Sequence, residues 1–268
     1  MNPVLNVCDV SYSYHSPEGA TPALSHISFS VSSGEFLAIV GPSGCGKSTL
    51  LSLLAGLITP EEGTIYIEDT PLTSARSGIG YMLQRDHLFE WRTIRENAAL
   101  GLEIRHRKNA ETLRELDELL EKYGLAAFAS SRPSELSGGM RQRAALIRTL
   151  ILKPDLLLLD EPFSALDYQT RLSVCDDIAS IIRETKKTAI LITHDLAEAI
   201  STADRVLVLS ARPGQVKAEL PLTFSAQYDS PLKRRNAPEF SGYFHKLWNE
   251  LREPDTPKED APDQIAFQ

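Results

Sequence analysis

The segment Val40-Gly41-Pro42-Ser43-Gly44-Cys45-Gly46-Lys47-Ser48-Thr49 constrains this chain more than any other. The apolar run Phe36-Leu37-Ala38-Ile39-Val40 precedes it and reads as a buried strand. Leu50, Leu51, Leu53 and Leu54 follow at helical spacing, and Gly56 can stop that helix. The spacing G-x-x-x-x-G-K-[ST], between a strand and a helix N-terminus, is that of a loop that wraps phosphate. Glycines let successive backbone N–H groups converge on an anion, and the helix dipole adds partial positive charge there. Lys47 brings a full charge to the β- and γ-phosphates, and the Ser48 hydroxyl is a ligand for Mg2+. A Gly-rich turn is the competing reading, and the strand–loop–helix context separates the two.

Bulk composition sets outer limits. At 268 residues the chain makes one large or two small domains, and 42% hydrophobic content suffices for a sizeable core. Cys8, Cys45 and Cys175 fit neither a disulfide framework nor a C-x-x-C zinc pattern and suggest a reducing compartment. Cys8 and Cys175 read as small buried apolar residues, and Cys45 as an accessible thiol. A net charge of −8 argues against nucleic acid as a partner, and Lys233-Arg234-Arg235 reads as a solvated face. Met1-Asn2-Pro3-Val4-Leu5 lacks the pattern of a signal peptide. No apolar run approaches the ~20 residues that span a bilayer, so the chain is expected to be soluble by itself.

Residues 4–10 and 27–31 read as strands joined through the turn Ser16-Pro17-Glu18-Gly19, and Thr64-Ile65-Tyr66-Ile67 as another. Turns rather than helices separate them, which implies an antiparallel sheet beside the loop-bearing core. From about residue 92 to 152 the pattern becomes helical. Leu113, Leu116, Leu119, Leu120 and Tyr123 share one face, Gly124 stops that helix, and Ser137–Leu152 follows as another. Strand 156–159, a helix over about 167–186, strand 188–193, a capping box at Asp195-Leu196-Ala197-Glu198 and strand 205–209 complete an α/β alternation. Arg212-Pro213-Gly214 is a turn. Pro238–Leu251 reads as a short amphipathic helix, and Arg252–Gln268 as a disordered tail.

Two further motifs carry chemistry. Leu156-Leu157-Leu158-Leu159 ends in Asp160-Glu161. Beside a phosphate loop, such a strand delivers Asp160 to Mg2+ and Glu161 to the water that attacks the γ-phosphate. Leu136-Ser137-Gly138-Gly139-Met140 opens a helix whose first turn is two glycines, leaving N–H groups and a hydroxyl facing outward as a second anion site. One γ-phosphate has no need of both sites in one chain. A homodimer in which Ser137, Gly138 and Gly139 reach the partner's nucleotide resolves this.

With these motifs in order, residues 4–222 resemble the nucleotide-binding subunits of ABC transporters. The resemblance identifies Gly41–Ser48 as the phosphate loop, Gln84 as the glutamine that senses Mg2+ and the attacking water, and Leu136–Met140 as the signature. Met140 stands where Gln is commonest and is expected to spare activity. The resemblance further assigns Ser164-Ala165-Leu166-Asp167 as the loop that carries Asp167 to the nucleotide, and His194 as the γ-phosphate switch. Tyr14 takes the place of an aromatic that stacks on adenine, with Tyr12 as the rival. The implied fold is an α/β P-loop NTPase core with an N-terminal antiparallel β-subdomain and an inserted α-helical subdomain. Residues 1–225 would form the nucleotide-binding domain, with the insert at about 86–152, and 226–268 a C-terminal extension.

ATP and Mg2+ are the implied cofactors. Integral membrane permease subunits, an extracytoplasmic solute-binding protein and a second copy of the chain are the implied partners, at the cytoplasmic face of the inner membrane. Phe89-Glu90-Trp91-Arg92-Thr93-Ile94-Arg95-Glu96-Asn97, Gly101-Leu102-Glu103 and Arg212-Pro213-Gly214 are similar to importers of nitrate, sulfonates, taurine and a thiamine pyrimidine precursor, with Glu90 where Pro is frequent. Phe89 and Trp91 either line a groove for a membrane-subunit helix or belong to the core. An exporter ATPase and an ATPase of a soluble complex remain the alternatives.

Overall fold

Strands that are apolar at every position need cover on both faces. The computed structural model describes residues 3–72 and 78–252. Along the chain run β1 (Leu5–Ser16), β2 (Gly19–Val31), β3 (Phe36–Val40), α1 (Lys47–Leu54), β4 (Glu62–Ile67), β5 (Thr70–Pro71) and β6 (Ile79–Met82). The helices α2 (Ile94–Ile104), α3 (Ala110–Lys122) and α4 (Gly138–Leu150) follow. Then come β7 (Leu156–Asp160), α5 (Tyr168–Glu184), β8 (Thr188–Ile192), α6 (Leu196–Thr202), β9 (Arg205–Leu209), β10 (Val216–Pro221), α7 (Pro231–Arg234) and α8 (Pro238–Arg252).

One sheet has the order β10-β9-β3-β8-β7-β6 and is parallel except for β10 at its edge. The other, β2-β1-β4-β5, is antiparallel throughout, as the turn-separated strands imply. Alternate residues of a strand face opposite ways. Leu37, Ile39, Leu156, Leu158, Ile190 and Ile192 therefore pack with the α1 leucines and the antiparallel sheet. Ala38, Val40, Leu157, Leu159, Leu191 and Val208 face the other way, into the core that α2, α4, α5 and α6 share. The expected α/β core with both flanking subdomains is what forms.

The first hairpin runs further than hydrophobicity indicates. Pairing continues to Ser16↔Gly19, through register shifts after Val7, Val10 and Tyr12. Beyond Val10 this ribbon is largely solvent-facing, so its backbone ladder has no apolar alternation to announce it. The helix at Ser137–Leu152 begins one residue later than expected, because Ser137 is its N-cap. In α3, Leu116 and Leu120 are buried with Tyr123, and Gly124 ends the turn at φ 71.

Beyond β10 the chain returns to the body. The amphipathic helix is present as α8, with Leu247 buried and Phe240 and Phe244 packed against the core. Trp248 stacks on Phe244 at 6.3 Å and stays partly exposed. The expected tail lies, from residue 253 on, outside the described residues. Among the described residues, no helix is long and apolar enough to cross a membrane.

The reading of Lys233-Arg234-Arg235 as a solvated face is corrected at Arg234. Its guanidinium donates to the carbonyls of Ala203 (2.7 Å) and Ser201 (3.4 Å) at the end of α6, and lies 5.1 Å over the Phe224 ring. Burial and the neighbouring Arg183 push its pKa down to about 10, with Asp204 opposing. Three basic residues in a row gave no hint that any of them turns inward. Arg234→Ala strips a buried donor from two carbonyls and is expected to cost about 2 kcal/mol in chemical denaturation. Lys233→Ala, beside the exposed Asp229, should leave the midpoint unchanged.

Candidate functional site

Strand register assembles the site. Ile39 of β3 pairs with Ile192 of β8, and Ile192 with Asp160 of β7. On the far side of β7, Met82 of β6 pairs with Leu159. The residues that leave these strands are the phosphate loop, His194, Glu161 and Gln84. They emerge side by side at the carboxyl edge of a parallel sheet, where open α/β sheets place ligands.

The loop between β3 and α1 depends on two glycines. Gly46 is the N-cap of α1 at φ 101, and a Cβ there would sit 2.7 Å from Leu24 and 2.8 Å from the Ala23 carbonyl. Gly41 faces Cys45 so closely that a Cβ would lie 2.8 Å from its Sγ. No side chain caps α1, so its first N–H groups are left for an anion. Lys47 is largely buried, and its Nζ donates to the carbonyls of Gly41 and Pro42, both at 2.8 Å, which folds the ammonium over the loop.

A cavity of about 620 Å3 opens above this loop. Ser43, Gly44, Gly46, Lys47, Ser48 and Thr49 form its floor. Tyr14 and Ala23 border it from the antiparallel sheet, and Glu161 and His194 from the strand ends. Arg212 borders it as well, with its Nε donating to the Pro22 carbonyl at 2.9 Å. Sequence reasoning placed Arg212 in a turn and in a segment similar to importers, but gave it no place at the cavity. Nothing local marks it, because the pairing of β9 with β3 is what brings it to the loop. Of the two aromatic candidates, Tyr14 faces the cavity, its hydroxyl 3.1 Å from Thr49 Oγ1. Tyr12 meets the Tyr14 ring edge-on at 5.2 Å and packs on the core behind it.

Glu161 is held tightly for an acidic side chain. Its backbone sits at φ 43, a left-handed conformation that costs about 1 kcal/mol or more away from glycine, and its N–H donates to the Ile192 carbonyl. Its Oε2 lies 3.1 Å from His194 Nδ1 and 3.4 Å from Gln84 Nε2, while Gln84 also donates to Ser164 Oγ at 3.2 Å. Behind it, burial and the Glu161 charge push the Asp160 carboxyl above the usual carboxylate range, opposed by the Tyr81 hydroxyl and Lys47. Burial and Asp160 in turn push Tyr81 up to about 12. Gln84, Glu161, His194, Lys47 and Ser48 thus converge on one region.

Ser137, Gly138 and Gly139 do not join them. Ser137 is exposed, but its Oγ accepts the Met140 N–H at 3.4 Å, and Gly139 is buried. A Cβ on Gly139 would lie 2.7 Å from Val174, and one on Gly138 2.9 Å from Leu166. Within their own chain, Gly139 lets α4 approach α5 closely and Gly138 lets it approach Leu166. Met140 packs partly into the core. Asp167 also stays off the cavity, because its carboxylate caps α5 through the Thr170 N–H at 3.1 Å, and hydrogen bonding from the Thr170 hydroxyl and then from that N–H holds its pKa down. The capping box at Asp195 is half formed. Asp195 caps Ala197 and Glu198, but Glu198 turns inward to accept from Thr193 Oγ1.

Residues 24–164 match a family model described as ABC transporter. The chain belongs to the ABC transporter family, as one of its ATPase cassettes. It is 44% identical over 247 residues to the uncharacterized ATP-binding protein YtlC of Bacillus subtilis, covering 92% of this chain and 95% of that one. It is 37% identical to the nitrate import ATP-binding protein NrtD of Synechocystis, over 96% and 98% of the two chains. With the aliphatic sulfonates import ATP-binding protein SsuB of Bacillus licheniformis, the identity is 39% over 88% and 89%. Among solved structures, the dimeric cassette MJ0796 bound to ADP and Pi covers 82% of this chain and 99% of its own at a TM-score of 0.71 and 31% identity.

One expectation in the loop fails. Cys45 is not an accessible thiol: it is 1% exposed, wedged beside Gly41, and burial pushes its pKa up against the pull of Lys47. Cys175 is buried as expected, whereas Cys8 is only partly so. A thiol reagent such as DTNB should therefore label Cys8 first in the native protein, and Cys45 only after denaturation. Rapid native labelling of Cys45 would contradict this packing.

Proposed function

We propose that this cassette hydrolyses ATP to drive an importer of a small oxyanion or organosulfonate, acting as a homodimer on integral membrane permease subunits. The observation that carries the reading is the convergence of Lys47, Ser48, Glu161 and His194 on one cavity, with Ser137 standing apart from it. In this reading Gly41–Thr49 wrap the phosphates with N–H groups, Lys47 contacts the β- and γ-phosphates, and Tyr14 receives the adenine. Glu161 takes the proton of the attacking water. His194 contacts the γ-phosphate and orients the Glu161 carboxylate. Ser137, Gly138, Gly139 and Asp167 serve the nucleotide of the partner copy, which fits their absence from the cavity of their own chain.

Mg2+ suits the donors at hand. The Ser48 hydroxyl, the Asp160 carboxylate and the Gln84 amide oxygen are hard oxygen ligands, and a carboxyl raised by burial beside Glu161 is one that a cation relieves. When bound, the ion offsets charge on the β- and γ-phosphates.

The importer reading and the solute class draw support from NrtD and SsuB, which align over nearly their whole lengths. An extracytoplasmic binding protein would deliver the solute, and the cassette would work at the cytoplasmic face of the plasma membrane. In this reading the aromatics Phe89 and Trp91 dock the permease. Trp91 is 70% exposed and stacks on Phe89 at 4.7 Å, while the buried Asn97 clamps the Phe89 N–H and carbonyl.

Two outcomes test this. Glu161→Gln should keep ATP affinity, lower hydrolysis by about a hundredfold or more and accumulate a dimer with ATP in size-exclusion chromatography. Normal turnover would remove Glu161 as the base. Trp91→Ala should leave the ATPase of the free cassette intact but prevent co-purification with the permease from detergent-solubilised membranes. Undiminished recovery of the complex would put the docking surface elsewhere.

A further inference from the structure

His194 and Glu161 meet at the ends of two different strands, and His194 is largely exposed (side chain 61%), so packing alone does not hold it. The segments that carry the two share the guanidinium of Arg171. Arg171, in the first turn of α5, donates through Nη2 to the Leu166 carbonyl at 3.1 Å. Its Nη1 lies 3.6 Å from Asp195 Oδ2, and its Nε 3.9 Å from Glu198 Oε1. Leu166 belongs to the segment that leaves Glu161, whose carbonyl is held by Ser164 Oγ at 3.0 Å. Asp195 and Glu198 belong to the segment that leaves His194. Glu198 is 4% exposed and accepts from Thr193 Oγ1 at 2.6 Å, and the same Oγ1 accepts the Asp195 N–H at 3.0 Å. Both neighbours of His194 are therefore pinned to Glu198, and Arg171 ties that assembly to the Glu161 segment.

We propose that Arg171 is a positioning residue for hydrolysis, holding the His194 loop in register with Glu161 by bridging Leu166 to Asp195 and Glu198. A guanidinium suits this because one nitrogen can donate to the Leu166 carbonyl while its delocalised charge stays within ion-pair reach of Asp195 and Glu198 on the other loop. The bridge reaches further. Leu166, whose carbonyl Arg171 holds, is the residue a Cβ on Gly138 would strike, and Thr170 beside Arg171 packs on Gly139. Arg171 thus links the chain's own reacting groups to the Ser137–Gly139 edge it offers to a second copy. A shift of that edge on dimer closure reaches His194 through one side chain. The inference rests on the hydrolytic roles given above to Glu161 and His194.

The test uses the full chain with Mg2+ and ATP, comparing Arg171→Met, His194→Ala and the double variant in steady-state ATPase, nucleotide affinity and thermal melts. Arg171→Met should lower kcat about tenfold while KM and nucleotide affinity stay within about twofold. Because Arg171 acts through His194, the double variant should be no slower than His194→Ala alone. Arg171→Lys keeps the charge and covers the case in which Met impairs folding, and it should recover only part of kcat. An unchanged kcat in Arg171→Met overturns the proposal. So do losses that multiply in the double variant, or full recovery by Lys in step with the melting temperature. Failure of the unmodified chain to hydrolyse ATP would count against the hydrolytic reading instead, a result distinguishable from all of these.

Discussion

Everything at the site hangs on the hydrogen-bonded register of β3, β8 and β7. The row Ile39, Ile192 and Asp160 fixes where three loops start, and each loop contributes to the lining of the cavity. A parallel ladder fixes relative height along the strands, and burial of both faces fixes which side chains point where. Sliding any strand by one residue would turn its apolar set to the wrong layer. The edge that bears these loops is therefore held by the same packing as the core beneath it. The one strained backbone position among its acidic residues, Glu161 at φ 43, is held by a hydrogen bond to Ile192 within the same row.

The layers on either side of this sheet divide the work. On one face, α1 and the antiparallel sheet support the phosphate loop and present Tyr14, with Gly46 letting the loop pass close to Leu24. On the other face, α4 packs through Gly139 against α5 and through Gly138 against Leu166. Those glycines have a structural duty that the anion-site argument did not include. Close approach of two helices and exposure of N–H groups to a ligand both select glycine, and sequence offers no means to separate them. Asp167 is a similar case: its carboxylate is engaged as a helix cap, and any contact with a partner's nucleotide has to be compatible with that.

The C-terminal segment contributes to the same assembly from behind. Through Arg234, α7 binds the carbonyls that close α6, and α8 lays Leu247 against the core. Since α6 begins directly after His194 and Asp195, both of its ends are anchored, one by Asp195 and the other by Arg234. His194 thus sits directly before a short helix that the rest of the chain holds in place.

How much of this was legible beforehand follows from the range of each interaction. The phosphate loop, the Asp160-Glu161 strand end, α3 with its leucine face and α8 rest on local spacing and periodicity, and so could be read directly. The amphipathic and wholly apolar strands likewise determined an α/β core with two flanking layers. Burial of Cys45, the inward turn of Arg234, the place of Arg212 at the cavity, the second duty of Gly138 and Gly139 and the reach of Arg171 all depend on residues distant in the chain. Gly41 and Leu209 close over one, the end of α6 receives another, and the pairing of β9 with β3 brings the third. The sequence by itself determined which chemistry the chain carries, because the reactive groups lie in short contiguous motifs. Only the tertiary structure decided which polar side chains meet, because burial and strand register are properties of the packed sheet and not of any one segment.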